Sequence, residues 1–154
     1  RKAVPAGLHL RTPDYLARAL ADIGFNCVRM VYALGSLDIA KVDPFWVGNN
    51  ATVRDQWVNP ELHGLSAIEV LDAVVLACVR AGLAVILNNH NSDMGWCCSD
   101  NDQNGLWWNS RFPKDAWLAN IRNFTQRYST PDHNGMVVGF DLRNEVRWSQ
   151  LAGR

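Results

Sequence analysis

The sequence predicts an α/β domain built on a parallel sheet. Three observations carry that reading: helix and strand patterns alternate along the chain, one helix-end-and-strand unit occurs twice, and the loops that follow strands are much longer than those that precede them. In the repeated unit, residues 19–29 parallel residues 77–87, each reading as a helix end, a glycine stop (Gly24, Gly82) and an apolar strand. Such units build a sheet that is either doubly wound or closed as a (β/α)8 barrel, and the loop asymmetry favours the barrel.

The first helix begins at Thr12-Pro13-Asp14, where a capping hydroxyl, a proline suited to the first turn and an acid facing the helix dipole follow one another. Leu16, Ala19, Leu20 and Ile23 then recur at helical spacing, and Gly24 ends the run. Residues 25–32 are β-rich and apolar apart from Arg29, a cation that needs a partner there. Residues 33–64 lack a sustained period and hold Pro44, Gly48 and Pro60, the marks of a long loop. Ser66 and Glu69 form a capping box ahead of a helical stripe of Ile68, Leu71, Val75, Cys78 and Val79. Leu83 to Asn89 is the second strand, ending at His90, and residues 91–112 are a second long loop rich in Asp, Asn, Ser and Gly. Pro113 opens a third helix with Trp117, Leu118, Ile121, Phe124 and Tyr128 on one stripe. The last strand runs through Gly135-Met136-Val137-Val138-Gly139-Phe140-Asp141 to Asn144-Glu145.

Composition narrows the function. With 154 residues, 48% of them hydrophobic, the chain can fill one core, and it has no apolar run of the ~20 residues a membrane span needs. Fifteen basic residues offset fifteen acidic ones, which leaves no basic field for nucleic acid or an anionic membrane surface. The sequons Asn50-Ala51-Thr52 and Asn123-Phe124-Thr125 and the vicinal pair Cys97-Cys98 favour an oxidising, extracellular setting, although the chain shows no signal segment. Cys27 and Cys78 lie in apolar runs and read as buried thiols; adjacent cysteines more often pair with distant partners than with each other.

The last strand delivers a carboxylic acid, Glu145, at its C-terminal end, where α/β folds place their chemistry. Of the seven tryptophans, Trp46, Trp57, Trp96, Trp107, Trp108 and Trp148 follow strands and Trp117 falls in a helix. Indoles on that face can stack on sugar rings or pack the loops onto the barrel. A zinc site built from His90, Cys97, Cys98 and His133 lacks a chelating Cys-x-x-Cys, so no metal and no cofactor is expected.

Gly24-Phe25-Asn26-Cys27-Val28-Arg29, then Asn89-His90-Asn91 with Gly95-Trp96-Cys97-Cys98-Ser99-Asp100-Asn101-Asp102, then Leu142-Arg143-Asn144-Glu145 resemble, in order on successive strands, the cellulase-like glycoside hydrolase family 5. The Trp-Cys-Cys-Ser stretch looks most like a cellulase-related branch found in plants and fungi. The resemblance implies a (β/α)8 TIM barrel of which residues 1–154 are a partial catalytic domain, covering about barrel strands two to four. It implies hydrolysis of O-glycosyl bonds in β-linked polysaccharides or glycosides by a retaining mechanism that uses two carboxylates. On this match Glu145 is the acid/base, Asn144 bonds the sugar 2-hydroxyl, and Arg29 holds the nucleophile ionised. His90 and Asn91 belong to the sugar subsite, with Trp96, Trp107 and Trp108 as further substrate contacts.

Two departures stand out. Val146 follows Asn144-Glu145 where the family usually has proline, and the chain stops before the strand expected to carry the nucleophile. Asp141 cannot replace it: it lies about 13 Å along the strand from Glu145, against the roughly 5 Å of a retaining pair. The expected partners are therefore a carbohydrate substrate and the remaining barrel strands, and this segment by itself is expected to be inactive. A non-catalytic carbohydrate-binding protein and a truncated product without function are the alternatives.

Overall fold

The structure, a computed structural model, describes residues 4–48, 58–95, 97–99 and 102–147. Helices and strands alternate as α1 (Pro13–Asp22), β1 (Cys27–Ala33), α2 (Ala67–Arg80), β2 (Ala84–Asn91), α3 (Lys114–Tyr128) and β3 (Val137–Asp141). The three strands form one parallel sheet in the order β1-β2-β3. Consecutive parallel strands linked through helices are the building unit of a (β/α)8 barrel, and the chain forms part of one.

Local chemistry sets the elements. Thr12 caps α1 through the amide of Tyr15, and Ser66 and Glu69 close the capping box of α2 from both sides. Both helices end in the same six-residue closure. Gly24, at φ +96°, donates to the Ala21 carbonyl and Phe25 to that of Leu20; Gly82, at φ +78°, donates to Val79 and Leu83 to Cys78. The repeat legible in the sequence is thus a repeated helix stop. It also moves the strand start: Phe25 is spent on closing α1, stands exposed, and β1 begins at Cys27. Ile23, expected on the apolar stripe, is the exposed C-cap.

The main core lies between the sheet and its helices, where Tyr32, Leu71, Val75, Cys78, Val85, Leu87, Phe124 and Tyr128 meet. Burial pushes the Cys78 thiol pKa up, while Cys27 is only half buried. On α3 the inward stripe is Trp117, Asn120, Phe124 and Tyr128, not the fully apolar set expected: Leu118 is exposed and Asn120 is buried because its Oδ1 accepts from the Tyr32 hydroxyl at 2.6 Å. Asp72 of α2 takes Arg127 and the Tyr128 hydroxyl, fastening α2 to α3.

The loop after β1 is more structural than its composition suggests. Three short 3-10 turns, Leu34–Ser36, Pro44–Val47 and Pro60–Leu62, fold it over α2, where Leu8, Val42, Val47, Leu62, Val70 and Val74 form a second core. Of its aromatics, Trp46 packs edge-on against Phe45 at 5.1 Å; Trp57 and the Asn50 sequon lie outside the described residues. Asn123, of the other sequon, is exposed on α3.

Only β2 approaches the burial on both faces expected of interior parallel strands. Val31 of β1 and Val138 of β3 are exposed, since the sheet face opposite the helices has no cover among the described residues. No helix among the described residues is long and apolar enough to cross a membrane.

Candidate active site

The site gathers at the C-terminal ends of the three strands. Strand β2 runs through His90 to Asn91, one residue past the expected end, so Asn91 belongs to the strand end and not to the loop. Strand β3 stops at Asp141, but the amide of Asn144 still donates to the Asn89 carbonyl at 3.0 Å, keeping the chain beside β2 up to the acid. Two adjacent residues on a regular strand would face opposite ways. Here the backbone departs from the strand: Glu145 has φ +40°, in the left-handed region that side chains beyond Cβ rarely occupy. Asn144 is buried and Glu145 is exposed.

Arg29, on β1, finds its partner 112 residues away. Its Nε donates to Asp141 Oδ2 at 2.8 Å, its Nη2 contacts the same oxygen, and that Nη2 also donates to Asn144 Oδ1 at 3.0 Å. The pair is partly solvated, with side-chain exposures of 45% and 32%, so Arg29 is not the uncompensated buried cation that an apolar strand suggested. Asp141 lies opposite Asn88 in the sheet register, and the Asn88 carboxamide pairs with His90 Nδ1 at 2.8 Å, which ties that ring nitrogen to the strand. Burial, then the Arg29 cation, holds the His90 pKa below its ordinary 6.5, against the opposing pull of Glu145 and Asp141. The ring is neutral at pH 7. The charges of Arg29, Glu145, Arg143 and Asp141 all bear on this one imidazole.

Asn91 Nδ2 donates to the Gly95 carbonyl at 3.1 Å, turning the loop after β2 back over the site. Trp96 lies outside the described residues, as does Trp148. Trp107 and Trp108 are half buried; Trp107 leans on Trp117 at 6.2 Å, and the Trp117 indole donates to the Leu142 carbonyl at 3.0 Å. Trp117, assigned to a helix by pattern, therefore reaches the strand-end face as well.

Residues 97–99 and 102–105 form a strap across residues 143–147. Arg143 Nη1 donates to Asn89 Oδ1 and its Nη2 to the Asn104 carbonyl, both at 2.7 Å. Buried and beside Arg147, Arg143 has its pKa drawn down to about 10 yet stays charged at neutral pH. Arg147 Nη2 reaches both oxygens of Asp102 at 2.6 and 2.7 Å and the Ser99 carbonyl at 3.0 Å. Asp102 in turn accepts from the amides of Cys98, Ser99 and Asn104. Sequence reasoning missed this clamp, because Asp102 in a loop of acids and Arg147 past the acid carry no local signal. It holds the segment after Glu145, where Val146 replaces the expected proline.

The cysteines correct one expectation. Cys97 and Cys98 are joined to each other, with a Cα–Cα separation of 3.7 Å, and the chain turns there through Cys98 at φ +86°. Their sulfurs and a Glu145 carboxylate oxygen lie within 4.8 Å of one another, the one potential metal-binding trio among the described residues. Joined sulfurs offer no thiolate, so the trio does not fit a metal ion in this state. His133 is remote from it, buried against Tyr128 and bonded to the Thr130 hydroxyl.

The chain resembles known proteins in both sequence and fold. The profile of the cellulase family, glycosyl hydrolase family 5, matches residues 7–152. A "glycosyl hydrolase 5 family protein" of Chamaecyparis obtusa is 31% identical over 94% of this chain, which spans 27% of that protein. The "major extracellular endoglucanase" of Xanthomonas campestris pv. campestris is 27% identical over 90% of this chain and 25% of its own length. The solved catalytic domain of the major endoglucanase from Xanthomonas campestris superposes with a TM-score of 0.69 at 26% identity, covering 92% of this chain and 36% of that one. The chain thus spans about a quarter to a third of the relatives it matches, and it belongs to glycosyl hydrolase family 5, the cellulase family.

Proposed function

We propose that residues 1–154 are part of the catalytic domain of a secreted glycoside hydrolase that cleaves β-linked glucan, mannan or a related glycoside with retention of configuration. The observation that carries this reading is the convergence of Asn144 and Glu145 with Arg29 and His90 at the ends of three parallel strands. Exposed at the strand end, Glu145 can reach a glycosidic oxygen and donate its proton. Neutral His90, with Nδ1 tied to Asn88, offers Nε2 to a sugar hydroxyl. Asn91, Trp96, Trp107 and Trp108 extend the subsite along the loop.

The second carboxylate comes from a part of the barrel outside this chain. When it enters, Arg29 is the cation it meets, already anchored by Asp141 and therefore oriented in advance. A secreted setting is supported by the closed Cys97–Cys98 bond and by the extracellular endoglucanase among the relatives.

The full-length protein, offered β-glucan, mannan and cello-oligosaccharides, should release reducing ends from at least one. Proton NMR of the first product should show the β-anomer. Saturable oligosaccharide binding without release from any substrate would replace the hydrolase by a carbohydrate-binding protein, and neither binding nor release would leave a product without this function.

A further inference from the structure

We propose that the Cys97–Cys98 disulfide is a positioning element of the site, which fixes the Asn144 carboxamide and keeps the neighbouring Glu145 carboxyl in place for proton transfer. The inference rests on the hydrolase reading and adds to it two residues whose chemistry the mechanism does not otherwise use.

The geometry around Asn144 is the first support. Its carboxamide is held at both ends: Oδ1 accepts from Arg29, and Nδ2 points at both sulfurs, 3.7 Å from Cys97 and 3.8 Å from Cys98. Sulfur is a weak acceptor, so these contacts act by filling space and fixing orientation more than by bond strength. Asn144 is buried, and a buried carboxamide with one loose end would turn. Glu145 follows it in the chain, with a carboxylate oxygen inside the same 4.8 Å cluster.

The way the bond is mounted is the second support. The amides of Cys98 and Ser99 are capped by Asp102, and Asp102 grips Arg147, two residues past the acid. The sulfurs, Asn144, Glu145 and Arg147 therefore form one closed circuit. Cys98 sits at φ +86°, which a residue with a side chain holds only where its surroundings over-determine it. A covalent ring between neighbouring side chains removes the rotor freedom of both, and makes a fixed wall where two free thiols would move independently.

A dithiol opens the ring under balanced chemistry. The S–S bond takes two electrons and two protons and becomes two thiols, while the dithiol closes to its own disulfide. Asn144 then loses one of its two anchors. Misplacing a reacting group by about 1 Å can cost on the order of a hundredfold in rate, and a partial release should cost about tenfold or more.

The test uses the full-length protein, treated with dithiothreitol under native conditions. The state of the bond is read by thiol alkylation and mass spectrometry, residue by residue, with Cys27 and Cys78, free thiols in this structure, as the comparison. Reduction should lower kcat on cello-oligosaccharides about tenfold or more, with a smaller effect on KM. An activated aryl β-glycoside, whose leaving group needs little protonation, should lose less. Reoxidation should restore both, and the Cys97→Ser, Cys98→Ser double variant should show the same defect and ignore the reductant. An opened bond with unchanged kcat overturns the proposal. So does an equal loss on both substrates that follows a fall in Tm, since that is a merely structural bond. If neither redox state turns over any substrate, the hydrolase reading has failed separately. The Asn144 side-chain amide signal in NMR then decides: a shift on reduction sustains the positioning role and an unmoved signal overturns it.

Discussion

Replacing Asp102 by Ala should destabilise the strap over the acid by about 3 kcal/mol. The carboxylate accepts from the Cys98, Ser99 and Asn104 amides at 2.9, 3.2 and 2.8 Å and from Arg147 at 2.6 and 2.7 Å. The ion pair is mostly enclosed, with side-chain exposures of 20% and 15%, and Arg147 Nε has no partner among the described residues. Hydrogen bonds to charged groups contribute about 1.5–3 kcal/mol and breaking a buried pair costs about 3–5 kcal/mol, so a partly solvated pair belongs near the lower end. Arg147→Ala leaves Asp102 its three amide donors and should cost about 1.5–2 kcal/mol, with a coupling of about 1.5 kcal/mol in the double-mutant cycle. The control is the Arg80–Asp14 pair between α1 and α2, exposed at 58% and 55%, whose loss should cost under about 1 kcal/mol. Urea unfolding of the full-length single and double variants, at unchanged m-value, measures all three. A coupling below about 0.5 kcal/mol would refute the clamp and reduce Asp102 to an ordinary loop acid.

The other predictions concern the ring, the indoles and the sheet edges. His90 has a lowered pKa in the folded chain, so the unfolded chain binds its proton more readily; its contribution costs nothing above pH 6.5 and grows as the pH falls below that value. The urea midpoint should therefore drop between pH 7 and 5, and drop less in His90→Gln; equal drops would remove His90 as the cause. Trp108→Ala should weaken oligosaccharide binding by about 1 kcal/mol with little change in Tm, whereas Trp107→Ala, which unpacks Trp117, should lower both. A fall in Tm with unchanged sugar affinity would assign Trp108 to packing. Residues 1–154 expressed by themselves should self-associate, because β1 and β3 have no further strand beside them among the described residues and Val31 and Val138 lie exposed on the sheet. A stable monomer in light scattering would contradict this.

What was legible in the sequence was local. The Thr12 cap, the Ser66–Glu69 box and the glycine stops at Gly24 and Gly82 each settle their geometry within a few residues, and all stand in the structure. Strand ends were harder, since the closure of α1 uses Phe25, a residue whose composition alone says strand. The partners of charged residues were illegible: Arg29 meets Asp141 and Arg147 meets Asp102 across long sequence distances, and no periodicity joins them. Asp141 is too far from Glu145 to act as the nucleophile, and its contact with Arg29 carries no signal in the sequence. The vicinal bond was misread because adjacent cysteines are judged by what is common, while here the backbone at Cys98 adopts the uncommon conformation that lets them join.

The central claim, that Glu145 is the proton donor at this strand end, is tested most directly by Glu145→Gln in the full-length protein. Pre-steady-state turnover should be measured on a cello-oligosaccharide and on a dinitrophenyl β-glycoside. The account predicts a loss of about a hundredfold or more in the first chemical step on the oligosaccharide and a much smaller loss on the aryl substrate, which leaves without a proton. Equal losses on both, with Asn144 still bonded to Arg29, would take the acid role away from Glu145.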